Sequence, residues 1–255
     1  MNHRTEFQSN NVDLQNIVNY AGTKIYEQTD LIKRIKIELG LMRIAMAPVE
    51  LTKSNVGPSR TVHFANGIWV VGFDWSMGLS FGGLYYSTDG MSWTKSNITT
   101  VGIADIYNAN GLWVACSNDN SGLYYSTDGM TWTQSNVKNI SFAYIYNANG
   151  LWVACSNKNS NSGLFYSTDG MTWSQSNVIS GAYNTVYFAN GIWVAGGDDN
   201  LGCLCYSTDG MTWTQSNITG ENILDIYNAN GIWVVCGGAR NTYYSKGTPI
   251  EIKSA

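Results

Sequence analysis

The chain writes Ala-Asn-Gly-(Ile/Leu)-Trp-Val five times and Tyr-Ser-Thr-Asp-Gly-Met-(Ser/Thr)-Trp four times, in strict alternation. The first motif places Trp69, Trp113, Trp152, Trp193 and Trp233 at steps of 44, 39, 41 and 40 residues. The second places Asp89, Asp128, Asp169 and Asp209 at steps of 39, 41 and 40. A unit of this length cannot bury an apolar face alone and must stack on its neighbours. About forty residues of short apolar runs between glycine turns read as four strands, one blade of a β-propeller. The expected fold is therefore all-β: a five-bladed β-propeller of four-stranded blades.

One copy illustrates the reading. Ala104–Asn108 forms a first strand, and Asn110-Gly111 is a hairpin turn of the kind that accepts positive φ. Leu112–Cys116 is the second strand and Leu123–Ser126 the third. Thr127-Asp128-Gly129-Met130 turns the chain into an outer strand over Thr131–Ser135. Each blade then buries two tryptophans, whose large apolar area contributes several kcal/mol apiece at about 25 cal/mol per Å². Cys116, Cys155 and Cys236 occupy one repeat position that is Gly72 or Gly196 elsewhere, which marks a small packed site. Cys203 and Cys205 alternate along one strand and point to opposite faces. All five read as free thiols, made in a reducing compartment.

The second motif is absent from the last copy, so one blade lacks an outer strand in linear order. Leu51-Thr52-Lys53-Ser54-Asn55-Val56 matches Trp93-Thr94-Lys95-Ser96-Asn97-Ile98 and is the favoured closing strand. The tail Pro249–Lys253 is the rival. Closure removes two exposed sheet edges. The domain division is thus a propeller over 47–255 preceded by an arm over 1–46. In the arm Asp13 caps a helix carrying Leu14, Ile17, Val18 and Ala21. A second run places Leu31, Ile35, Leu39, Met42 and Met46 at helical spacing. Such an arm docks on the ring, on a partner, or on further copies as a homo-oligomer; the sequence leaves the three open.

Composition removes several function classes. The net charge is −4 and only Arg60 and Arg240 are arginines within the blades, so no basic footprint for nucleic acid exists. No apolar run reaches the length of a membrane span. The start lacks a basic and apolar leader, so synthesis in the cytoplasm without a signal peptide is expected. With His3 and His63 as the only histidines, neither a catalytic triad nor a histidine-rich metal site can be assembled. His63 stands where other copies carry Tyr107, Tyr146, Tyr187 and Tyr227, a first-strand packing position.

Ser87/Asp89/Gly90/Trp93, Ser126/Asp128/Gly129/Trp132, Ser167/Asp169/Gly170/Trp173 and Ser207/Asp209/Gly210/Trp213 resemble the Asp-box, or BNR repeat, of sialidases and related propellers. The resemblance implies a structural turn between third and fourth strands, with the aspartate accepting backbone hydrogen bonds. It does not extend to the sialidase active site, which needs an arginine cluster that these blades lack. Of six glutamates only Glu221 falls in a blade loop, so a two-carboxylate glycosidase is also hard to build. The expectation is a non-enzymatic protein with no cofactor and no metal.

A ligand is expected among the residues that differ between copies. The Asn-Gly and Asp-Gly turns share one face of a propeller, and the variable loops lie opposite. These read Asp74-Trp75, Asn118-Asp119-Asn120, Asn157-Lys158-Asn159, Asp198-Asp199-Asn200 and Arg240-Asn241. Amide- and carboxylate-rich loops beside an aromatic suit sugar hydroxyls, and the pattern resembles lectin propellers. The expected function is recognition of cell-surface carbohydrate, with a glycan or host surface as partner. The alternative is a structural component of a phage tail or similar particle, virion-associated and joined to phage proteins through residues 1–46.

Overall fold

Two successive residues with positive φ make each inner hairpin. Asn66 and Gly67 have φ of 51° and 77°, Asn110 and Gly111 51° and 85°, and the pairs at 149–150, 190–191 and 230–231 repeat the values. That is the two-residue turn whose twist matches the strands it joins. The structure is a computed structural model that describes residues 52–56, 59–74, 82–158, 162–178, 181–198, 204–216, 218, 222–238, 241–246 and 253–254. The proposed helical arm over 1–46 lies outside them.

Five antiparallel sheets succeed one another along the chain. Blade 1 contains β1 (Thr61–Ala65), β2 (Ile68–Phe73), β3 (Gly83–Ser87) and β4 (Thr94–Lys95). Blade 2 contains β5 (Ile103–Ala109), β6 (Leu112–Ser117), β7 (Leu123–Ser126) and β8 (Thr133–Gln134). Blade 3 contains β9 (Ser141–Ala148), β10 (Leu151–Lys158), β11 (Gly163–Ser167) and β12 (Ser174–Gln175). Blade 4 contains β13 (Ala182–Ala189), β14 (Ile192–Asp198), β15 (Leu204–Ser207) and β16 (Thr214–Gln215). Blade 5 contains β17 (Ile223–Ala229), β18 (Ile232–Gly237), β19 (Thr242–Lys246) and β20 (Lys253–Ser254).

The core lies between blades. Four apolar clusters fill the junctions 1–2, 2–3, 3–4 and 4–5. In the first, Val70 and Leu84 of blade 1 meet Ile103, Ile106, Trp113 and Trp132 of blade 2. Period-2 alternation sends Trp113 to the preceding blade and Val114 to the following one, so both faces of a sheet are buried. An aromatic file crosses the same junctions on the innermost strands. His63, Tyr107, Tyr146, Tyr187 and Tyr227 stand at successive centroid separations of 5.3, 5.4, 5.6 and 5.2 Å. His63 thus holds the packing position expected of it, and burial lowers its pKa.

The small repeat position has a steric cause: a Cβ on Gly72 would lie 2.4 Å from Ile103 Cγ2, and one on Gly196 2.3 Å from Ile223 Cγ2. Cys116 and Cys155 fill it as buried free thiols, while Cys236 is exposed. Cys203 lies outside the described residues.

The fifth blade corrects one expectation. Its outer strand is β20 from the tail, pairing Lys253 with Tyr244 and Ser254 with Tyr243, not Leu51–Val56. Leu51 is outside the described residues, and residues 52–56 carry no strand. Outer strands contribute only two ladder residues in every blade, so a six-residue match there extends well past the ladder. The residues just after each outer strand form a clamp. Asn97, Asn136 and Asn177 each place a side-chain amide across the backbone N–H and C=O of the next blade's outer tryptophan, at 2.8–3.0 Å. Asn55 does the same to Trp93, at 3.2 and 3.4 Å. The match at Ser54-Asn55 therefore encodes the clamp on the outer tryptophan of blade 1.

Candidate functional site

The Asp-Gly turns are built alike in four blades. In blade 2 the Ser126 hydroxyl donates to Asp128 Oδ1 at 2.8 Å and accepts from the N–H groups of Asp128 and Gly129. Asp128 Oδ1 also accepts from Met130 and Thr131 N–H, both at 2.8 Å, and Trp132 Nε1 donates to the Gly129 carbonyl. The burial of Asp128 opposes ionisation, but these donors outweigh it and hold the carboxyl below its usual range. At Asp89 the N–H groups of Ser92 and Met91 lead, and the pKa falls to about 2. The carboxylates act as turn anchors, with one oxygen spent on three donors.

On the opposite face, the described loop residues serve mainly as joints. Asp74 is buried and ion-paired with Arg60 Nη1. Asp119 accepts from Gly102 N–H at 2.7 Å and Ser121 N–H at 3.0 Å, tying the incoming segment to the mid-blade loop. Asn118 N–H donates to the Gly102 carbonyl, and Asn120 takes a φ of 69° within that loop. Asn157 donates across junction 3–4 to Asn184 Oδ1 at 3.1 Å, while Lys158 pairs through its backbone with Ser141. Asp198 bridges to Asn222 across junction 4–5 and is exposed; the Asn241 carbonyl accepts from Gly237 N–H. Trp75, Asn159, Asp199, Asn200 and Arg240 lie outside the described residues. The structure places the described members on one rim, one group per blade; Asn157 and Asp198 reach the neighbouring blade, whereas Asp74, Asn118 and Asp119 bond within their own.

A concave site lies on the other face, between blades 3 and 4. A cleft of about 440 Å³ is lined by Asn149, Leu151, Thr168, Phe188, Trp193, Thr208, Asp209 and Met211, with Ala148, Gly150 and Gly191 completing its wall. Two of the five repeats carry phenylalanine opposite the tryptophan, Phe64 in blade 1 and Phe188 in blade 4, and of these only Phe188 lines this cleft. Phe188 pairs across the strands with Trp193, ring centroids 5.0 Å apart. Blades 2, 3 and 5 carry Asn108, Asn147 and Asn228 opposite their tryptophans. At junction 4–5 the turn residue Asn190 donates to Asn228 Oδ1 at 3.1 Å. At junction 3–4 the equivalent Asn149 meets a phenyl ring instead, which can make no such bond, and the cleft stays open.

Its chemistry is an aromatic and aliphatic floor under a polar lip. Thr168, Thr208 and Asp209 are exposed and Met211 is half-buried. The N–H of Thr212, opposed by burial and helped by Met211 N–H and the Ser207 hydroxyl, holds the Asp209 carboxyl below its usual range. Asp209 Oδ1 takes these three bonds, at 2.7–2.8 Å, and the Thr212 side chain adds a further hydrogen bond to the carboxyl. Sequence comparison between repeats could have found Phe188, since it breaks the Asn-x-Asn-Gly of blades 2, 3 and 5. The loops drew attention because they vary more.

A second perturbed group lies on the innermost strands. Asp105 accepts from Ile106 N–H at 2.9 Å, Thr61 Oγ1 at 3.3 Å and Ile145 N–H at 3.3 Å, so it joins three blades. Burial raises its pKa to about 6, against these bonds and the nearby Arg60 charge. A carboxyl whose folded pKa exceeds its unfolded value favours the native state when protonated. That contribution is complete below about pH 4 and is lost as pH rises through 6. From this group, stability falls by on the order of 2 kcal/mol between pH 4 and 7. Urea melts across that window should show the slope in the parent chain and a flatter profile in Asp105→Asn. Among the described residues, no group of three or more His, Cys, Asp or Glu side chains is arranged to hold a metal ion.

Comparison with known proteins agrees on fold. No family model matches the chain, and no curated protein does. Among solved structures, the computationally designed Ika8 protein superposes with a TM-score of 0.59 at 10% identity, over 77% of this chain and 62% of its own. The GH74 enzyme of Niastella koreensis gives 0.55 at 22% identity, over 81% of this chain and 32% of its own. YCF48 from Cyanidioschyzon merolae gives 0.53 at 10% identity, over 80% and 74%. These are β-propellers, and the chain is a β-propeller. It spans between about a third and three quarters of the length of the structures it matches.

Proposed function

We propose that this propeller is a non-enzymatic binding module that recognises carbohydrate, most directly in the cleft between blades 3 and 4. The observation that carries the reading is the pairing of Phe188 and Trp193 beneath Thr168, Thr208 and Asp209 in an open cavity. A pyranose presents apolar C–H faces to an aromatic floor and hydroxyls to acceptors and donors at its edge, and such mixed sites are typical of small-ligand clefts. An anchored carboxylate that stays ionised is a strong acceptor for two adjacent hydroxyls. The opposite rim, where Asp198 is exposed, is the alternative location for the site.

A glycan array on the full chain tests this. Saturable binding is expected, reduced at least tenfold by Phe188→Asn, which installs the residue of blades 2, 3 and 5. Asp198→Asn should leave it unchanged. Loss only in Asp198→Asn would move the site to the loop rim, and no binding to any glycan would overturn the reading. A structural role in a phage tail or similar particle is the second reading. The open faces at the two ends of the blade series favour it.

A further inference from the structure

Each of the four blade junctions buries eight to eleven residues, and each is made the same way. The exit face of one blade, led by a valine of its second strand and the tyrosine of its first (His63 in blade 1), meets the entry face of the next. That entry face is led by a tryptophan and a β-branched first-strand residue. Val70, Val114, Val153 and Val194 are wholly buried on exit faces, and Trp113, Trp152, Trp193 and Trp233 are at most 3% exposed on entry faces. A fifth copy of each face exists, and part of each is exposed. On blade 1, Val62, Phe64 and Trp69 are 57, 51 and 37% exposed. On blade 5, Tyr227, Tyr244 and Val234 are 60, 45 and 38% exposed. Cys236 is exposed there too, although Cys116 and Cys155 at the same position are sealed.

Among the described residues these two faces do not meet. The innermost strands pack in the series β1, β5, β9, β13, β17, and β17 makes no comparable contact with β1. The aromatic file advances by nearly equal steps and stops at Tyr227. A uniform step that fails to close after five blades turns by less than a fifth of a circle.

We propose that blade 5 docks on blade 1 of a second copy of this chain, head to tail. The complementarity is already demonstrated inside the molecule. Tyr107, Tyr146 and Tyr187 each stand edge-on to the tryptophan of the following blade at 6.1–6.2 Å. By the same offset Tyr227 meets Trp69 of the second copy. Asp105 accepts from Ile145 N–H of its neighbour, whereas exposed Asp225 has only Ile226 N–H among the described residues. The corresponding donor is Val62 N–H of the second copy. On the outer half of the blade 1 face Asn55 clamps Trp93, and Val71 and Phe73 are buried, so the contact falls to the exposed inner residues Val62, Phe64 and Trp69. Apolar faces of this kind are rarely left in water, and a head-to-tail contact between unlike faces builds rings or filaments.

Sedimentation equilibrium and light scattering on the full 28.0 kDa chain, with near-ultraviolet circular dichroism as a folding check, test the proposal. The parent chain should show at least twice the monomer mass and dissociate on dilution. Val62→Asp and Val234→Asp should each give folded monomers. Mixing the two should restore a 1:1 dimer and nothing larger, since one keeps its exit face and the other its entry face. A monomeric parent would overturn the proposal, as would variants that retain the parent mass. Variants that lower the melting temperature without changing mass would show that the faces close within one chain. Mixed variants that stay monomeric would exclude the head-to-tail geometry.

Discussion

Replacing Trp113 by alanine is expected to destabilise the folded chain by about 4 kcal/mol, the cost of emptying a fully buried large aromatic site. Trp113 is 1% exposed and lies in the first blade junction, with His63 edge-on at 5.7 Å and Val70 and Ile106 in the same cluster. The vacated space cannot collapse readily, because two sheets would have to approach each other against their own ladders. Trp69→Ala, at the equivalent position of blade 1, should cost much less in dilute solution, about 1 kcal/mol, since Trp69 is 37% exposed and no sheet among the described residues packs before it. Urea unfolding of both variants at low protein concentration separates them. Equal costs would mean that Trp69 is covered as fully as the others.

Gly122→Ala should be comparably severe for a different reason. Gly122 has a φ of 87°, and a Cβ there would lie 2.0 Å from the Val137 carbonyl oxygen. That carbonyl accepts from Leu123 N–H, while Gly122 N–H donates to Ile140, so the obstacle is backbone that cannot step aside without breaking the blade edge. Gly83 and Gly163 start their third strands under the same constraint, 2.0 and 2.2 Å from the carbonyls of Ile98 and Val178. A loss of about 3 kcal/mol or more is expected. Gly150→Ala is the control: its φ is 80° but nothing lies within 4 Å. It should lose only about 1–2 kcal/mol, the cost of a left-handed alanine. Thermal melts that rank the two variants equally would remove the clash from the account.

The parts legible in the sequence are those that one repeat determines by itself. Asn110-Gly111 specifies a hairpin because the twist of the turn is local, and Ser126 with Asp128 specifies the second turn because all its bonds fall within six residues. The Asn97 to Trp132 clamp was visible only as an unexplained match around Asn55, since its partners lie 35 residues apart. Closure was not legible. It depends on small rotations summed over four junctions, and no motif records them. The exposure of Cys236 has the same origin, for its position is small and packed wherever another blade comes after it. The loop residues Asp74 and Asp119 drew a ligand reading because short polar side chains look alike whether they bind a sugar or a backbone amide. Only the Arg60 pair and the Gly102 bond distinguish the second use. Phe188 was legible in principle, as an aromatic where three copies have asparagine, but its consequence needed the geometry of Asn149 across the junction.

The central claim is that the repeated turns build the scaffold and that Phe188, beside Asn149 across junction 3–4, opens the binding cleft. Titration of the nitrogen-15-labelled chain with the best array glycan, monitored through the tryptophan indole N–H resonances, tests it most directly. The Trp193 signal, assigned through Trp193→Phe, should move with saturation. Those of Trp113 and Trp152, at the same repeat position beside Asn108 and Asn147, should stay in place. Movement of those two with Trp193 unmoved, or no movement at any indole at saturating glycan, would contradict the account.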